Sequence, residues 1–235
     1  MAEPVRLEIE GSTAVVSLDS PPLNIFDLEM RDGLIEAFAA VAQLDDVTAM
    51  ILRADGKHFS AGADLSEFGS AESIFEGRRI RWDRDPWGPL WDLPMPTIAS
   101  LHGVAVGSGL EMALLCDIRV AGPTTQTGLP ETKLGMLPAA GGTQSLTKAI
   151  GPHRAVPVVA LAETLSAEDA YGQGILSELT PDPDVRASEI AEKIASFDPG
   201  AVRAIKRALR GAVETPLTVG LALERRLAAR VAGCL

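Results

Sequence analysis

The chain is 235 residues long, which suits one large domain or a domain with a small appendage, and 46% of its residues are hydrophobic. This apolar share is enough for a packed core and excludes a chain that is disordered throughout. The formal net charge of −11 excludes a general affinity for nucleic acid, because contact with phosphates needs a basic surface.

The charge is unevenly distributed along the chain. Residues 201–235 carry seven basic and two acidic side chains, a net charge of +5, whereas the first 200 residues carry −16. A basic tail on an acidic body has two interpretations. It is either a local anion site or a solvated helix face with ion pairs at a subunit interface, and the second is the more common case.

The two cysteines do not form a disulfide framework in a chain of this length. Cys116 lies in an apolar run and is expected to be a small core residue, with Cys234 close to the C-terminus. The first six residues lack the apolar stretch of a signal peptide, and no run approaches the ~18 apolar residues of a membrane span. We therefore expect a soluble, cytoplasmic protein.

The N-terminal half alternates strands with helices. Residues 5–9 and 13–18 are apolar or alternating runs on either side of a Gly-Ser pair, which predicts a β-hairpin. Asp27 is placed to cap a helix whose apolar residues follow at helical spacing. Residues 47–52 form a short apolar run that predicts a buried strand. Farther along, strands are predicted at 97–101, 104–106 and 117–121, and a helix at 108–116.

The rest of the chain is predicted to be mostly helical. Residues 65–95 hold all three tryptophans and several prolines, and indicate an irregular, mobile helical segment. After Pro138 the candidate helices are 143–150, 152–162, 166–173, 184–196, 199–212 and 216–232. This order indicates an α/β core domain over residues 1–195 and a C-terminal helical region over residues 196–235.

Two glycine-bearing loops, at 59–64 and 103–111, each follow a strand and open a helix. Glycines let the backbone approach a ligand, and the first N–H groups of a helix are free to bind an anion. Two such N–H groups converging on one oxygen would form an oxyanion hole. The loops fit neither the dinucleotide nor the phosphate-binding glycine pattern, and loops of this kind often serve packing alone.

Two glutamates are candidates for acid–base chemistry. Glu111 lies early in an otherwise apolar helix, where it is either a solvent-facing partner of the helix dipole or a buried carboxylate with a raised pKa. Glu131 lies in a loop, where a solvated role is the more common one. His58, His102 and His153 show no spacing typical of a metal site or a catalytic triad, so no metal is expected.

Several motifs occur in order along the chain: Asn24 after the second strand, residues 59–64, residues 98–111 continuing to Cys116 and Asp117, residues 129–131 with 135–144, and residues 201–206. With these motifs the sequence resembles the enoyl-CoA hydratase/isomerase (crotonase) family from about residue 5 to the C-terminus. The resemblance implies a crotonase-type α/β superhelix of ββα units.

The resemblance also implies the roles of individual residues. The backbone N–H groups of Ala63 and Ser108 would form the oxyanion hole for a thioester oxygen. Glu111 and Glu131 would hold the water that is added across the double bond, Glu111 deprotonating it and Glu131 protonating the α-carbon. The neighbouring substrate-binding positions would be Ala61, Gly62, Asp64 and Gly107.

The implied substrate is an acyl-CoA thioester, so coenzyme A arrives as part of the substrate and no separate cofactor is expected. The C-terminal helices would mediate a homotrimer or a dimer of trimers. They are shorter than usual for the family, in which a further helix carries a basic residue and covers the acyl and CoA sites. We therefore expect that cover to be less complete here.

Some positions depart from the family pattern. Ser108, Ala139 and Ser145 replace residues that are often Gly, Gly and Arg, and Ser66 stands where hydratases often carry a lysine. Segment 68–91 corresponds to the variable stretch beside the acyl pocket. Its tryptophans, at 82, 87 and 91, would line that pocket or be core or interface anchors. Its arginines, at 78, 79, 81 and 84, would meet CoA phosphates or form a solvated charged face.

Enoyl-CoA hydratase is the function that both glutamates favour, because related isomerases keep only one of the two acids or move it. The alternatives are a Δ3-Δ2 enoyl-CoA isomerase and a catalytically silent acyl-CoA-binding homologue. The expected chemistry is thus addition of water across the 2,3 double bond of an enoyl-CoA.

Overall fold

A computed structural model describes residues 3–67 and 83–233. The predictions that concern Trp82, Cys234 and the arginines at 78, 79 and 81 lie outside these described residues. Within them, the predicted strands and helices occur in the predicted order, with three short strands added that the sequence did not predict.

The core is a six-stranded sheet with the strand order β1-β2-β3-β4-β6-β9. β1 and β2 form the predicted antiparallel hairpin, and every later pairing in this sheet is parallel. A smaller sheet has the order β5-β7-β8. The strands are β1 Val5–Glu10, β2 Thr13–Leu18, β3 Ala49–Ala54, β4 Thr97–Leu101, β5 Val104–Val106, β6 Ile118–Ala121, β7 Gln126–Gly128, β8 Thr164–Ser166 and β9 Glu178–Leu179.

Helices pack around the two sheets and form most of the C-terminal region. In the described ranges they are α1 Leu28–Ala42, α2 Trp87–Asp92, α3 Ser108–Leu115, α4 Gly142–Ile150, α5 Pro152–Ala160, α6 Ala167–Gln173, α7 Pro183–Ala195, α8 Pro199–Glu214 and α9 Leu217–Val231. Short 3-10 turns lie at Leu65–Glu67 and Pro130–Leu134. None of the described helices is both long and apolar enough to cross a membrane.

β2 shows how the sequence builds the core. All six of its residues are buried, and successive side chains point to opposite faces of the sheet. Val16 and its alternate neighbours join the main core with α1, whereas Val15 joins a smaller cluster with Ile51 and Ala187 of α7. The parallel sheet is therefore covered on both faces, which accounts for its continuous apolar strands.

The predicted element bounds agree with the structure to within a few residues, apart from three short strands. β7, β8 and β9 lie in stretches of two or three residues, which are too short to give a periodic signal. β7 extends the small sheet beside β5, and β5 leads directly into α3, which carries Glu111.

The C-terminal helices α8 and α9 pack against each other, and polar contacts join α8 to the core. Lys206 donates hydrogen bonds to the carbonyl of Met95, at 2.6 Å, and pairs with Asp117 at 2.7 Å. Arg210 stacks on the ring of Trp91 with its guanidinium carbon 4.1 Å from the ring centroid. The division into a core over 1–195 and a helical region over 196–235 stays a prediction.

Candidate functional site

Two glycine loops meet beside the N-terminus of α3. Gly107 is the N-cap of this helix with φ 54°, and Gly62 has φ 98°, both in the left-handed region that favours glycine. A Cβ added to Gly62 would lie 3.1 Å from the carbonyl oxygen of Val106 and 3.5 Å from the amide nitrogen of Ser108. The two backbones therefore approach closely at Gly62, where a side chain would be crowded as well as conformationally strained.

Ser60 and Asn24 hold the first loop in place. Ser60 pairs with Ala105 in an isolated parallel bridge, and its hydroxyl donates to the carbonyl of Asn24 at 2.7 Å. The Asn24 side chain, fully buried, donates to the carbonyls of Asp55 and His58 at 2.9 and 2.8 Å. Asn24 has φ 46°, a conformation that asparagine tolerates better than most residues.

Two backbone N–H groups remain available at this crossing. Within the described residues, no hydrogen bond uses the N–H of Ala63 or of Ser108 as a donor. Ser108 is the first residue of α3, where the helix dipole favours negative charge. A pair of donors in this position can stabilise an oxyanion.

A cavity of about 410 Å³ opens over these groups. All eight of the sequence-predicted site residues line it: Ala61, Gly62, Ala63, Asp64, Gly107, Ser108, Glu111 and Glu131. Leucines, an isoleucine, a methionine, a proline and alanine form most of the remaining wall. The structure thus brings together residues that lie 70 positions apart along the chain.

Glu111 is buried. Of the two interpretations that the sequence left open, a solvent-facing residue and a buried one, the structure therefore supports burial. It is 1% exposed, and its Oε1 accepts hydrogen bonds from the backbone N–H groups of Ala140 and Gly142, both at 2.9 Å. These two hydrogen bonds fix the orientation of the carboxyl group.

Glu131 reaches the cavity from the 3-10 turn Pro130–Leu134. Its Oε1 lies 3.2 Å from the position that a Cβ of Gly107 would occupy. The carboxylate is therefore close to the start of α3, and a side chain at Gly107 would crowd it. The loop position that made Glu131 a weak candidate from sequence places it directly at the helix that carries Glu111.

Asp64 also lines the cavity, and a hydrogen bond from a nearby backbone N–H group fixes its side chain. Its Oδ1 accepts from the N–H of Ser66 at 2.8 Å, and this hydrogen bond is the main cause of a pKa below the usual value for aspartate. The charge of Arg31 lowers the pKa further. Asp64 is thus an anion at the end of the first glycine loop at neutral pH.

Sequence reasoning missed the positioning role of Ala140 and Gly142. The glycine-rich turn at 141–142, which opens α4, was the available signal, since the first N–H groups of a helix bind anions. The N–H groups at this turn donate to a carboxylate of the protein itself, which only the three-dimensional structure shows. The carboxylate bound there is Glu111.

The tryptophans and arginines of the variable segment behave as structural residues where the structure describes them. Trp87 is 8% exposed and packs on Phe26, with ring centroids 5.8 Å apart. Trp91 contacts Arg210, and Arg84 pairs with Asp32 at 2.7 Å. None of these residues lines the cavity. In the described part of the chain no cluster of side chains is suited to a metal ion.

Replacing Gly142 with Ala is expected to lower kcat about 10- to 100-fold and also to lower the stability by about 1–3 kcal/mol through overpacking. The added Cβ would lie 2.8 Å from Oε1 of Glu111 and 2.8 Å from Cβ of Pro138, so the carboxylate must move. Gly142 is the first residue of α4, so the preference for alanine over glycine in a helix interior does not offset this crowding. Steady-state kinetics and urea unfolding measure the two effects separately.

Gly172→Ala is the matched control, because Gly172 lies in α6 and has no heavy atom within 4 Å of its added Cβ. This variant should keep wild-type activity. Unchanged kcat in Gly142→Ala would show that the position of Glu111 does not limit the reaction.

Comparison with known proteins shows the family to which the chain belongs. The family model described as enoyl-CoA hydratase/isomerase matches residues 8–232. The chain therefore belongs to the enoyl-CoA hydratase/isomerase family, and the family predicted from the sequence is confirmed.

Relatives and solved structures support the same assignment. The chain is 33% identical over 228 residues to a probable enoyl-CoA hydratase of Mycobacterium tuberculosis, covering 96% of this chain and 88% of the relative. It is 36% identical over 199 residues to the 2,3-dehydroadipyl-CoA hydratase of Escherichia coli, covering 83% and 76%.

A crystal structure of an enoyl-CoA hydratase from Bacillus anthracis superposes with a TM-score of 0.92 at 30% identity, covering 98% of this chain and 91% of that one. The predicted crotonase-type α/β fold is confirmed by this agreement.

Proposed function

We propose that this protein is an enoyl-CoA hydratase, a hydro-lyase that adds water across the 2,3 double bond of an enoyl-CoA thioester. The observation that carries the proposal is that two glutamates, Glu111 and Glu131, line the same cavity as the backbone N–H groups of Ala63 and Ser108. Within the described residues, neither of these N–H groups donates a hydrogen bond. The relatives named above are called enoyl-CoA hydratases, which supports the same reaction.

In the proposed mechanism the thioester oxygen accepts hydrogen bonds from the N–H groups of Ala63 and Ser108. These donors stabilise the enolate-like charge that develops on that oxygen as the β-carbon is attacked, and one such donor is worth roughly 3–4 kcal/mol in other enzymes. Ala61, Gly62, Asp64 and Gly107 would shape the backbone around the thioester.

The two glutamates would move the protons. Water lies between them, Glu111 takes one proton from it, and the water oxygen forms a bond to the β-carbon. Glu131 in its protonated form gives a proton to the α-carbon. Since two neighbouring carboxyls titrate as a coupled unit, the pair rather than either residue sets the pH profile.

Coenzyme A would enter as part of the substrate, and the mechanism uses no separate cofactor. We place the enzyme in the cytoplasm, a reducing compartment. Cys116, a buried free thiol whose pKa burial raises to about 12, is compatible with that setting.

The proposal is tested by following the loss of crotonyl-CoA absorbance with the purified protein. We expect hydration of the 2,3 double bond, with formation of the 3-hydroxyacyl ester. If the protein instead converts a 3-enoyl-CoA to a 2-enoyl-CoA without hydration, it is an isomerase. Binding of short, medium and branched enoyl-CoAs without turnover would identify a silent acyl-CoA-binding homologue.

We also propose that the C-terminal helices assemble a homotrimer or a dimer of trimers. α8 and α9 expose several large apolar side chains that an interface would cover: Ile205, Leu209, Val213, Leu217, Val219, Leu221 and Val231. Light scattering on the purified protein should give three or six times the chain mass of 24.7 kDa. A monomer would contradict this assembly.

A further inference from the structure

Of the three residues at the start of α3, 107–109, only Ser108 carries a side chain. Gly107 has φ 54°, and a Cβ added there would lie 3.2 Å from Oε1 of Glu131. A Cβ added to Gly109 would lie 2.7 Å from Cβ of Ser60, which is closer than packed atoms approach. The crossing of the two glycine loops therefore admits a side chain at residue 108 but not at its two neighbours, and that side chain is a hydroxyl.

The hydroxyl of Ser108 faces the cavity. The residue is 3% exposed and belongs to the cavity wall. Among the described residues, none forms a hydrogen bond with its Oγ, yet Oγ is not one of the unpartnered oxygens that are sealed from solvent. In so buried a residue, the open space that Oγ contacts is the cavity. Because buried hydroxyls nearly always have a hydrogen-bond partner, a ligand in the cavity is the expected partner of this one.

Covalent geometry places this hydroxyl close to any oxygen bound by the N–H of Ser108. In a gauche rotamer, a serine Oγ lies about 3 Å from the backbone nitrogen of its own residue. An oxygen that accepts from that N–H lies at a similar distance from the nitrogen, about 2.9 Å. One ligand oxygen can therefore accept from the backbone and the side chain of the same serine. Serine hydroxyls are among the donors that stabilise oxyanions.

We propose that Ser108 is a further catalytic residue through its side chain: its hydroxyl donates a third hydrogen bond to the thioester oxygen, beside the N–H groups of Ala63 and Ser108. The inference rests on the proposed function. The negative charge on this oxygen is greatest in the enolate-like transition state, so the third hydrogen bond is strongest there. Loss of the hydroxyl therefore lowers kcat rather than raising KM.

Two substitutions, Ser108→Ala and Ser108→Gly, remove the hydroxyl and keep the backbone N–H. Each is expected to lower kcat for hydration of crotonyl-CoA about 10- to 100-fold, with KM within about threefold of wild type. A role limited to packing or backbone stiffness would affect the glycine variant alone, since alanine keeps the Cβ. An alanine variant that retains more than about half of wild-type kcat would overturn the proposal.

Ser188→Ala is the matched control. The Ser188 hydroxyl donates to the carbonyl of Asp184 at 3.1 Å within α7, and the residue lies outside the cavity wall. This variant loses the same oxygen atom as Ser108→Ala and should keep wild-type kcat and KM.

A ligand that undergoes no hydration tests the same contact without turnover. Acetoacetyl-CoA has a second carbonyl group and ionises to an enolate that absorbs in the near ultraviolet, so a pH titration gives the pKa of the bound ester. Hydrogen bonds to the enolate oxygen lower this pKa. Both Ser108 variants should therefore raise it by about one unit relative to wild type, which corresponds to a tenfold loss of enolate stabilisation. A lower kcat with an unchanged pKa would overturn the proposal, because the hydroxyl would then act on water or a glutamate.

The two measurements separate this inference from the proposed function. If wild type hydrates crotonyl-CoA and Ser108→Ala matches it, the protein is a hydratase with two oxyanion donors, and the inference alone fails. If wild type hydrates nothing but the pKa of bound acetoacetyl-CoA rises in Ser108→Ala, the proposed function fails and the third donor stands. A protein that neither hydrates crotonyl-CoA nor binds acetoacetyl-CoA would contradict both.

Discussion

Replacing Glu131 with Gln is expected to lower kcat for hydration of crotonyl-CoA by about 10²- to 10⁴-fold. The amide matches the carboxyl in size, so it fits beside Gly107, but it has no acidic proton to give to the α-carbon. Stopped assays of the purified variant against wild type measure the loss.

Glu111→Gln is expected to cause a loss of similar size for a different reason. The glutamine oxygen can still accept from the N–H groups of Ala140 and Gly142, so the local structure is retained. The side chain can no longer take a proton from water. Because the two acids act as one unit, the double variant should be little worse than either single variant.

Binding measurements separate lost chemistry from lost affinity. Both variants should bind acetyl-CoA, a non-reacting ester, within about threefold of wild type, because the proposed oxyanion donors, the N–H groups of Ala63 and Ser108, are unchanged. If either variant keeps more than about a tenth of wild-type kcat, the mechanism with two carboxylates is wrong.

Periodicity was sufficient to predict the long elements of the fold. β2 and β3 are continuous apolar runs, and α1 begins where Asp27 caps it by accepting from the N–H of Met30 at 2.8 Å. The short strands β7 and β9 were missed because their pairing depends on partners that are remote in the sequence, such as β5 and β6. Tertiary contacts, rather than local propensity, form them.

The candidate site could be predicted only by combining residue chemistry with the family resemblance. From the residues alone, Glu111 had two open interpretations, and the structure decides for burial at 1% exposure. No local pattern shows that the N–H groups of Ala140 and Gly142 point at Glu111, since 29 and 31 residues separate each from it. Contacts over such distances are set by the packing of α4 against α3.

The basic tail also has a partial explanation in the structure. Arg203 donates to the carbonyls of Asp45 and Val47, at 2.9 and 3.0 Å, and Lys206 and Arg210 contact the core as described above. These residues lie on one side of α8, so part of the positive charge of the tail serves to attach α8 to the rest of the protein. Neither of the two interpretations of the tail considered this internal role.

The contact between Lys206 and Asp117 is expected to carry much of that attachment. Lys206 has a side chain only 6% exposed, and burial lowers its pKa while the charge of Asp117 opposes the shift. Asp117 accepts in addition from the N–H and hydroxyl of Thr97, at 2.8 and 3.0 Å. Removing the carboxylate would leave a buried ammonium without its counter-ion.

Asp117→Ala is therefore expected to lower the free energy of unfolding by about 3 kcal/mol, the lower end of the range for breaking a buried ion pair. Lys206→Met should cost less, under about 1.5 kcal/mol, because methionine fills the apolar space and Asp117 keeps its bonds from Thr97. Urea unfolding of both variants gives the comparison.

A surface pair of equal length provides the control. Arg84 and Asp32 are also 2.7 Å apart, but both side chains are 45% exposed, so Arg84→Ala should cost less than about 1 kcal/mol. The double variant Asp117→Ala/Lys206→Met should be more stable than Asp117→Ala alone, since it removes the stranded charge. If the loss of unfolding free energy in the double variant equals the sum of the losses in the two single variants, the pair contributes through packing. Independent packing losses add, whereas the cost of an unpaired buried charge disappears when that charge is removed.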